Sequence, residues 1–233
     1  MADRCWVIGV GGIGTWVLPA IIKEARFNEA FPKHIILVDG DKVDDGNFKR
    51  QDFDASALNT FKAEAKLEDI KHLIDGTGVE VDSICEYIDD AWVEEHFEDG
   101  DMILCCVDNH PTRRVLQDKA SDMNNVIFIS AGNEKTTGNV QTFLKENGTI
   151  KSPSIYEAHP EIEESDDAHN PANMSCEQRA ALPGGIQIFT INFFMAAVIL
   201  MHIYSLTSDD ARPLKETFVD ITTGNMKSEY YGV

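Results

Sequence analysis

The chain has 233 residues, 43% of them apolar, which suffices for one large domain with a substantial core. Its 40 acidic residues against 20 basic ones give a formal charge of −20. Such a surface repels a phosphate backbone and argues against general nucleic-acid binding, while leaving room for a small anion in a local positive pocket.

The first apolar run, Cys5 to Val10, lacks a small-residue cleavage site and passes straight into a glycine loop, unlike a signal peptide. Arg4 to Ile8 reads as a strand, Gly9-Val10-Gly11-Gly12-Ile13-Gly14 as a loop, and a helix pattern follows to about Ala30. His34 to Asp39 is a continuous apolar run closed by an acid, the pattern of a strand buried on both faces. These elements make one βαβ unit. The alternation continues with a helix over Thr60 to Ile74, a strand over Glu80 to Ile84 and a short helix over Trp92 to Phe97. A buried strand over Met102 to Val107, a helix opened by Pro111 and a strand over Val126 to Ala131 complete it. The sequence therefore predicts an α/β fold of Rossmann type, a doubly wound, largely parallel sheet with helices on both faces.

Asn139 to Lys145 reads as a further strand, and Asn147 to Gln178 as an irregular acidic segment with three prolines. Ile186 to Leu206 approaches the ~20 apolar residues of a membrane span. Gln187, Thr190, Asn192 and His202 interrupt it, so a buried helix of a globular domain is expected and no membrane partner. Glu216 to Ile221 returns as a strand. Residues 1–233 thus read as one domain: a nucleotide-binding core over 1–145, a mobile crossover-type loop over 146–185, and a C-terminal helix with additional strands over 186–233.

The five cysteines, Cys5, Cys85, Cys105, Cys106 and Cys176, are odd in number and form no C-x-x-C pair. Neither a disulfide framework nor a structural zinc site is expected, and the compartment reads as reducing and cytoplasmic.

Gly9, Gly11 and Gly14 fit G-x-G-x-x-G between a strand and a helix. The first glycine permits the tight turn, the second lets a phosphate approach the backbone, and the helix start offers free N–H groups. Asp39, at the end of the second strand, stands where this fold places a carboxylate against ribose hydroxyls. The motif alone leaves NAD, FAD, S-adenosylmethionine and ATP open.

The segment Asp39-Gly40-Asp41-Lys42-Val43-Asp44-Asp45-Gly46-Asn47-Phe48-Lys49-Arg50-Gln51 decides among them. It resembles the D-x-D-x-V-x-x-S-N-L-x-R-Q signature of the ThiF/MoeB/HesA branch of the ubiquitin-activating enzymes, with Gly46 for Ser and Phe48 for Leu. Asn59-Thr60-Phe61-Lys62-Ala63 resembles that family's G-x-x-K-A, with Asn59 for glycine. Cys105 to Arg113 resembles its D-x-x-D-N-x-x-x-R block, with Cys105 for the first Asp. The resemblance implies ATP-dependent adenylation of the C-terminal carboxylate of a small ubiquitin-like or sulfur-carrier protein. It implies that Arg50 and Lys62 meet the phosphates, that Asn47 hydrogen-bonds nearby, and that Asp108 holds Mg²⁺. Gly9, Gly11, Gly12, Gly14, Asp39, Asp41 and Asn109 complete the implied nucleotide site, with Arg113 a brace. Relatives dimerise through the sheet edge and final helices, so a homodimer is implied. Some transfer the acyl group to a cysteine, and Cys176 is the candidate. The C-x-x-C pairs of many relatives are missing. An arginine that some relatives supply ahead of the first strand has only Arg4 as a counterpart. Adenylation of a peptide amide or a tRNA base is the alternative within the same chemistry. An NAD-dependent oxidoreductase accounts for the glycines and Asp39 but leaves Asn47, Arg50, Lys62 and Asp108 unexplained. A binding subunit without activity would not need Arg50, Lys62 and Asp108.

Overall fold

The computed structural model describes residues 2–166, 170–174 and 187–231. Strand β1 (Arg4–Ile8) is the central strand of the sheet's parallel part, and it is built to be covered twice. Cys5 and Val7 point into one core layer, Trp6 and Ile8 into the other, each at most 2% exposed. The same alternation holds in β2 (His34–Val38), where Ile35 and Leu37 oppose Ile36 and Val38, and in β4 (Met102–Cys105). With β3 (Glu80–Ile84) and β5 (Val126–Asn133) these strands form a parallel block in the order β3-β2-β1-β4-β5. This is the expected doubly wound arrangement. Chain order reverses between β1 and β4, and that reversal opens a crevice at their carboxyl ends.

One face is covered by α1 (Gly14–Phe27), α2 (Lys62–Ile74) and α6 (Phe189–Thr207). In α1 the stripe Val17, Leu18, Ile21 and Ile22 recurs at helical spacing and is wholly buried. Each such side chain contributes about 2 kcal/mol through burial. The other face is covered by α3 (Asp90–His96) and α4 (His110–Asp122).

Beyond β5 the sheet turns antiparallel through β6 (Thr137–Glu146), β8 (Leu214–Asp220) and β9 (Asn225–Tyr230), with β7 (Thr149–Ile150) paired to β6. β9 has no counterpart in the sequence expectation: its Asn-Met-Lys-Ser-Glu-Tyr run shows no apolar alternation, and five of its six residues are exposed. At the opposite margin, β3 exposes Glu80 and Asp82. The segment after Asn147, expected to be irregular, carries β7, a turn of 3₁₀ helix at Ile155–Glu157, and α5 (Pro160–Glu163). Ile155 and Ile162 tie it into the α4-side core at 1% and 2% exposure.

Helix α6 is long and apolar enough to cross a membrane, yet half of it is buried against α1 and the sheet. Of its interrupting polar groups, Asn192 and His202 are buried and have protein partners. His202 bonds Thr142 of β6 at 2.8 Å and Thr217 of β8 at 2.9 Å, and Thr217 continues to Ser228 of β9 at 2.9 Å. Burial depresses the His202 imidazole from its ordinary 6.5 to about 4. A histidine whose folded-state pKa is lowered supports the fold fully above pH 6.5, and that support fades as pH falls from 6.5 towards 4. Chemical denaturation at pH 8 and pH 5 is expected to differ by about 2 kcal/mol on this account. His202→Gln, which cannot titrate, is expected to remove most of that difference.

Candidate nucleotide-binding site

The crevice at the carboxyl ends of β1, β2 and β4 forms a cleft of about 290 Å³. Its floor is the glycine turn. Gly9 has φ +89°, and its N–H donates to the Val38 carbonyl at 2.9 Å, so the turn begins by joining the ends of β1 and β2. A Cβ on Gly14 would stand 2.0 Å from the Gly9 carbonyl oxygen, so only glycine lets α1 start this close to the strand. A Cβ on Gly11 would meet nothing nearer than Gln51 Nε2 at 3.7 Å; the space above Gly11 belongs to the cleft.

Asp39, half-buried at the end of β2, accepts from the backbone N–H groups of Val10 at 2.7 Å and Asp41 at 2.8 Å. Burial raises its pKa, while Lys62 opposes the rise. Beyond it, Val43 exchanges backbone hydrogen bonds with Asn59 and Thr60, and the Lys62 N–H donates to the Asp41 carbonyl. That pairing places the first residue of α2 beside the end of β2. Asn59 sits at φ +66°, which explains why the family's glycine can be asparagine here: Asn adopts the left-handed region more readily than other side chains.

Lys62 is 7% exposed and its ammonium contacts Asp41 Oδ2 at 2.9 Å. Burial pulls its pKa down, but Asp39, Asp41 and Asp108 outweigh burial and hold the ammonium above its ordinary value. It is a fixed cation. Arg50 is half-buried in the cleft wall, and its guanidinium makes no hydrogen bond or ion pair among the described residues. Its backbone, by contrast, is pinned: the Arg50 carbonyl accepts from Asn192 Nδ2 at 3.0 Å and Trp16 Nε1 at 3.4 Å. Asp108 is exposed at the cleft, with no hydrogen-bond partner among the described residues.

Other predicted residues occupy the cleft wall with their side chains partly engaged in local structure. Asn47 is 3% exposed and its Oδ1 accepts from the Asp44 N–H at 3.1 Å, closing the turn that leads to Arg50. Asn109 Oδ1 caps α4 by accepting from Thr112 N–H at 2.9 Å. Arg113 is a strut between strand ends, donating to the carbonyls of Val107 at 2.7 Å and Ala131 at 2.8 Å. Arg4 lies at the amino end of β1, bonded to Asp101 and the His96 carbonyl, remote from the cleft. Cys5, Cys105 and Cys106 are buried, and burial pushes their thiols up. Cys176 lies outside the described residues.

The sequence did not mark Tyr87, whose ring lies against Gly40 and whose hydroxyl donates to Asp41 Oδ1 at 2.6 Å. Nor did it mark Asn133 and Gln187 as lining residues. Magnesium fits this donor set. It binds through one or two carboxylates together with substrate phosphates. The uncommitted Asp108 carboxylate would supply the protein oxygen; among the described residues no three His, Cys, Asp or Glu side chains form a metal-binding group.

Two glycine substitutions separate fold from site. Gly14→Ala is expected to cost roughly 2–4 kcal/mol in urea unfolding, because its Cβ meets a backbone oxygen. Gly11→Ala is expected to change stability by under about 1 kcal/mol yet to weaken nucleotide binding at least tenfold, measured by titration calorimetry.

The ThiF family model matches residues 2–231. Adenylyltransferase and sulfurtransferase UBA4 of Yarrowia lipolytica is 28% identical over 147 residues, 63% of this chain and 35% of that protein. The crystal structure of PaaA aligns with TM-score 0.71 at 18% identity, over 99% of this chain and 65% of that one. E. coli MccB crystallised with ATP aligns with TM-score 0.73 at 16% identity, over 99% of this chain and 64% of that one. The chain therefore spans about a third of the curated relative and just under two thirds of these solved chains. At such identities the solved structures establish a shared fold. With the whole described fold and the glycine-loop and Arg50–Lys62 signatures inside the matched region, the chain belongs to the ThiF family.

Proposed function

We propose that the protein adenylates a carboxylate with ATP, and that the carboxylate is the C-terminus of a small ubiquitin-like or sulfur-carrier protein. The observation that carries this reading is the convergence of Arg50, Lys62 and Asp108 on one cleft above the glycine turn, with the Arg50 guanidinium uncommitted. The activity named for UBA4 and the ATP bound to MccB support it.

The residues divide the work as follows. Asp39 faces the ribose, and the start of α1 with Gly11 and Gly12 receives the phosphates. A carboxylate oxygen of the acyl substrate attacks the α-phosphorus, the bond to the bridging oxygen breaks, and pyrophosphate leaves. Negative charge grows on the phosphate oxygens, and two preorganised cations, Arg50 and Lys62, meet it. Asp108 would hold a magnesium ion, which when bound would offset part of the triphosphate charge. That compensation matters because Asp39, Asp41, Asp44, Glu86 and Asp108 line the same cleft.

A homodimer is part of the proposal. Phe193, Phe194, Ala197 and Tyr204 are exposed along one side of α6, an apolar face suited to a second copy. Transfer of the acyl group from the adenylate to Cys176 is a further step, in which the thiolate sulfur attacks the acyl carbon and AMP leaves. The setting is cytoplasmic.

Carboxylate-dependent exchange of pyrophosphate into ATP is expected, and Arg50→Ala or Asp108→Ala should each lower it ~100-fold or more without lowering the unfolding temperature. Mg-ATP is expected to stabilise the protein in a thermal scan and NAD to leave it unchanged; the reverse pattern would point to an oxidoreductase. An acyl thioester adduct, cleaved by hydroxylamine or excess thiol, should disappear in Cys176→Ala.

A further inference from the structure

Lys62 is held by a carboxylate that, taken alone, is poorly suited to hold it. The Asp41 side chain is 49% exposed, and an ion pair to so open a carboxylate is ordinarily weak and exchanges readily with water. Lys62, in contrast, is a buried ammonium, and its use to a triphosphate depends on its standing at one point before the ligand arrives. Whatever restrains Asp41 therefore restrains the cation. The Asp41 backbone is fixed at both ends: its N–H donates to Asp39 Oδ1 at 2.8 Å and its carbonyl accepts from the Lys62 N–H at 2.9 Å. That leaves the side-chain torsions to be settled.

The two carboxylate oxygens are divided between two elements. Oδ2 accepts from Lys62 Nζ of α2 at 2.9 Å, and Oδ1 accepts from the Tyr87 hydroxyl at 2.6 Å. An O–H···O⁻ bond of that length is of the short, charge-assisted kind. Tyr87 lies three residues past the end of β3, and β3 runs parallel beside β2, so the two strands deliver Tyr87 and Asp41 to the same rim. The tyrosine is itself seated. A Cβ on Gly40 would stand 2.6 Å from its Cδ2 and 2.7 Å from its Cγ and Cε2, so the glycine between the two acids leaves the room that the ring fills. The next residue, Ile88, is 4% exposed and anchors the segment in the α4-side core. Asp41 is thus clamped between a phenol and an ammonium. Its orientation is set, and the phenol takes a share of its charge, leaving the ammonium less neutralised towards an entering anion.

We propose that Tyr87 is a positioning residue for phosphate binding, its hydroxyl acting through Asp41 to hold the Lys62 ammonium where the triphosphate lies. This rests on the adenylation reading and adds a residue to it. The ring lines the cleft as well, but the role assigned here belongs to the hydroxyl. Tyr87 takes no part in bond making.

The test is titration calorimetry with two probes, the non-hydrolysable analogue Mg-AMPCPP, which carries phosphates, and adenosine, which carries none. Tyr87→Phe removes only the hydroxyl. It is expected to weaken the analogue about tenfold and adenosine by less than about twofold. In Asp41→Ala, where the hydroxyl has lost this acceptor, adding Tyr87→Phe is expected to leave the ratio of the two affinities where Asp41→Ala alone puts it. An unchanged analogue affinity in Tyr87→Phe overturns the proposal, as do equal losses on both probes, which a merely structural role would give. So does a full additional loss on top of Asp41→Ala. Each of these leaves the adenylation reading standing. Should Tyr87→Phe fail to fold, Tyr87→Leu takes its place, and the ratio of affinities decides, because any contact of the ring with the nucleoside cancels in it. An unsubstituted protein that binds neither Mg-AMPCPP nor Mg-ATP refutes the adenylation reading, and this proposal with it.

Discussion

A Cα packed against a carbonyl oxygen sets the geometry of this site. Because Gly14 has no side chain, the first turn of α1 rests on the Gly9 carbonyl at the end of β1. From that seat the neighbouring groups acquire their partners. Val10 aims its N–H at Asp39, Thr15 Oγ1 accepts from the Asp52 N–H at 3.1 Å, and Trp16 reaches the Arg50 carbonyl. The same few residues therefore fix the carboxylate on one side of the cleft and the backbone of the arginine on the other. A helix start displaced by one methyl group would loosen both together.

The electrostatics carry a second constraint. A chain of charge −20 can offer a site to an anion only by concentrating its few cations. It does so in two contrasting ways. Lys62 is buried and held by carboxylates that keep it charged, so its position is settled before any ligand arrives. Arg50 has a fixed backbone and an uncommitted guanidinium, so its charge is available without an ion pair having to break. The pair combines a preformed cradle with a free hand.

Much of this was legible in the sequence, and the reasons are local. β1 falls on the expected residues, and β2 and β4 within one or two of them, because buried parallel strands read as apolar runs; the half-exposed β3 also falls on its expected residues. The glycine turn and the segment to Arg50 carry their information in consecutive residues. What sequence could not show is long-range. Asn47 and Asn109 have the side chains the family signature calls for, yet their carbonyl oxygens serve a turn and a helix cap. Tyr87 meets Asp41 across 46 positions, and Asn133 meets Asn192 across 59, with no period to announce either contact. β9 escaped notice because an exposed outer strand need not alternate.

That outer strand, with β3 at the other margin, has a consequence for assembly. The two lateral borders of the sheet carry Glu80 and Asp82 on one side and Lys227 and Glu229 on the other. Charged borders discourage an additional strand from annealing there, which protects a broad sheet from growing into fibres. Contact between molecules is thereby steered away from backbone pairing and towards the helical flanks.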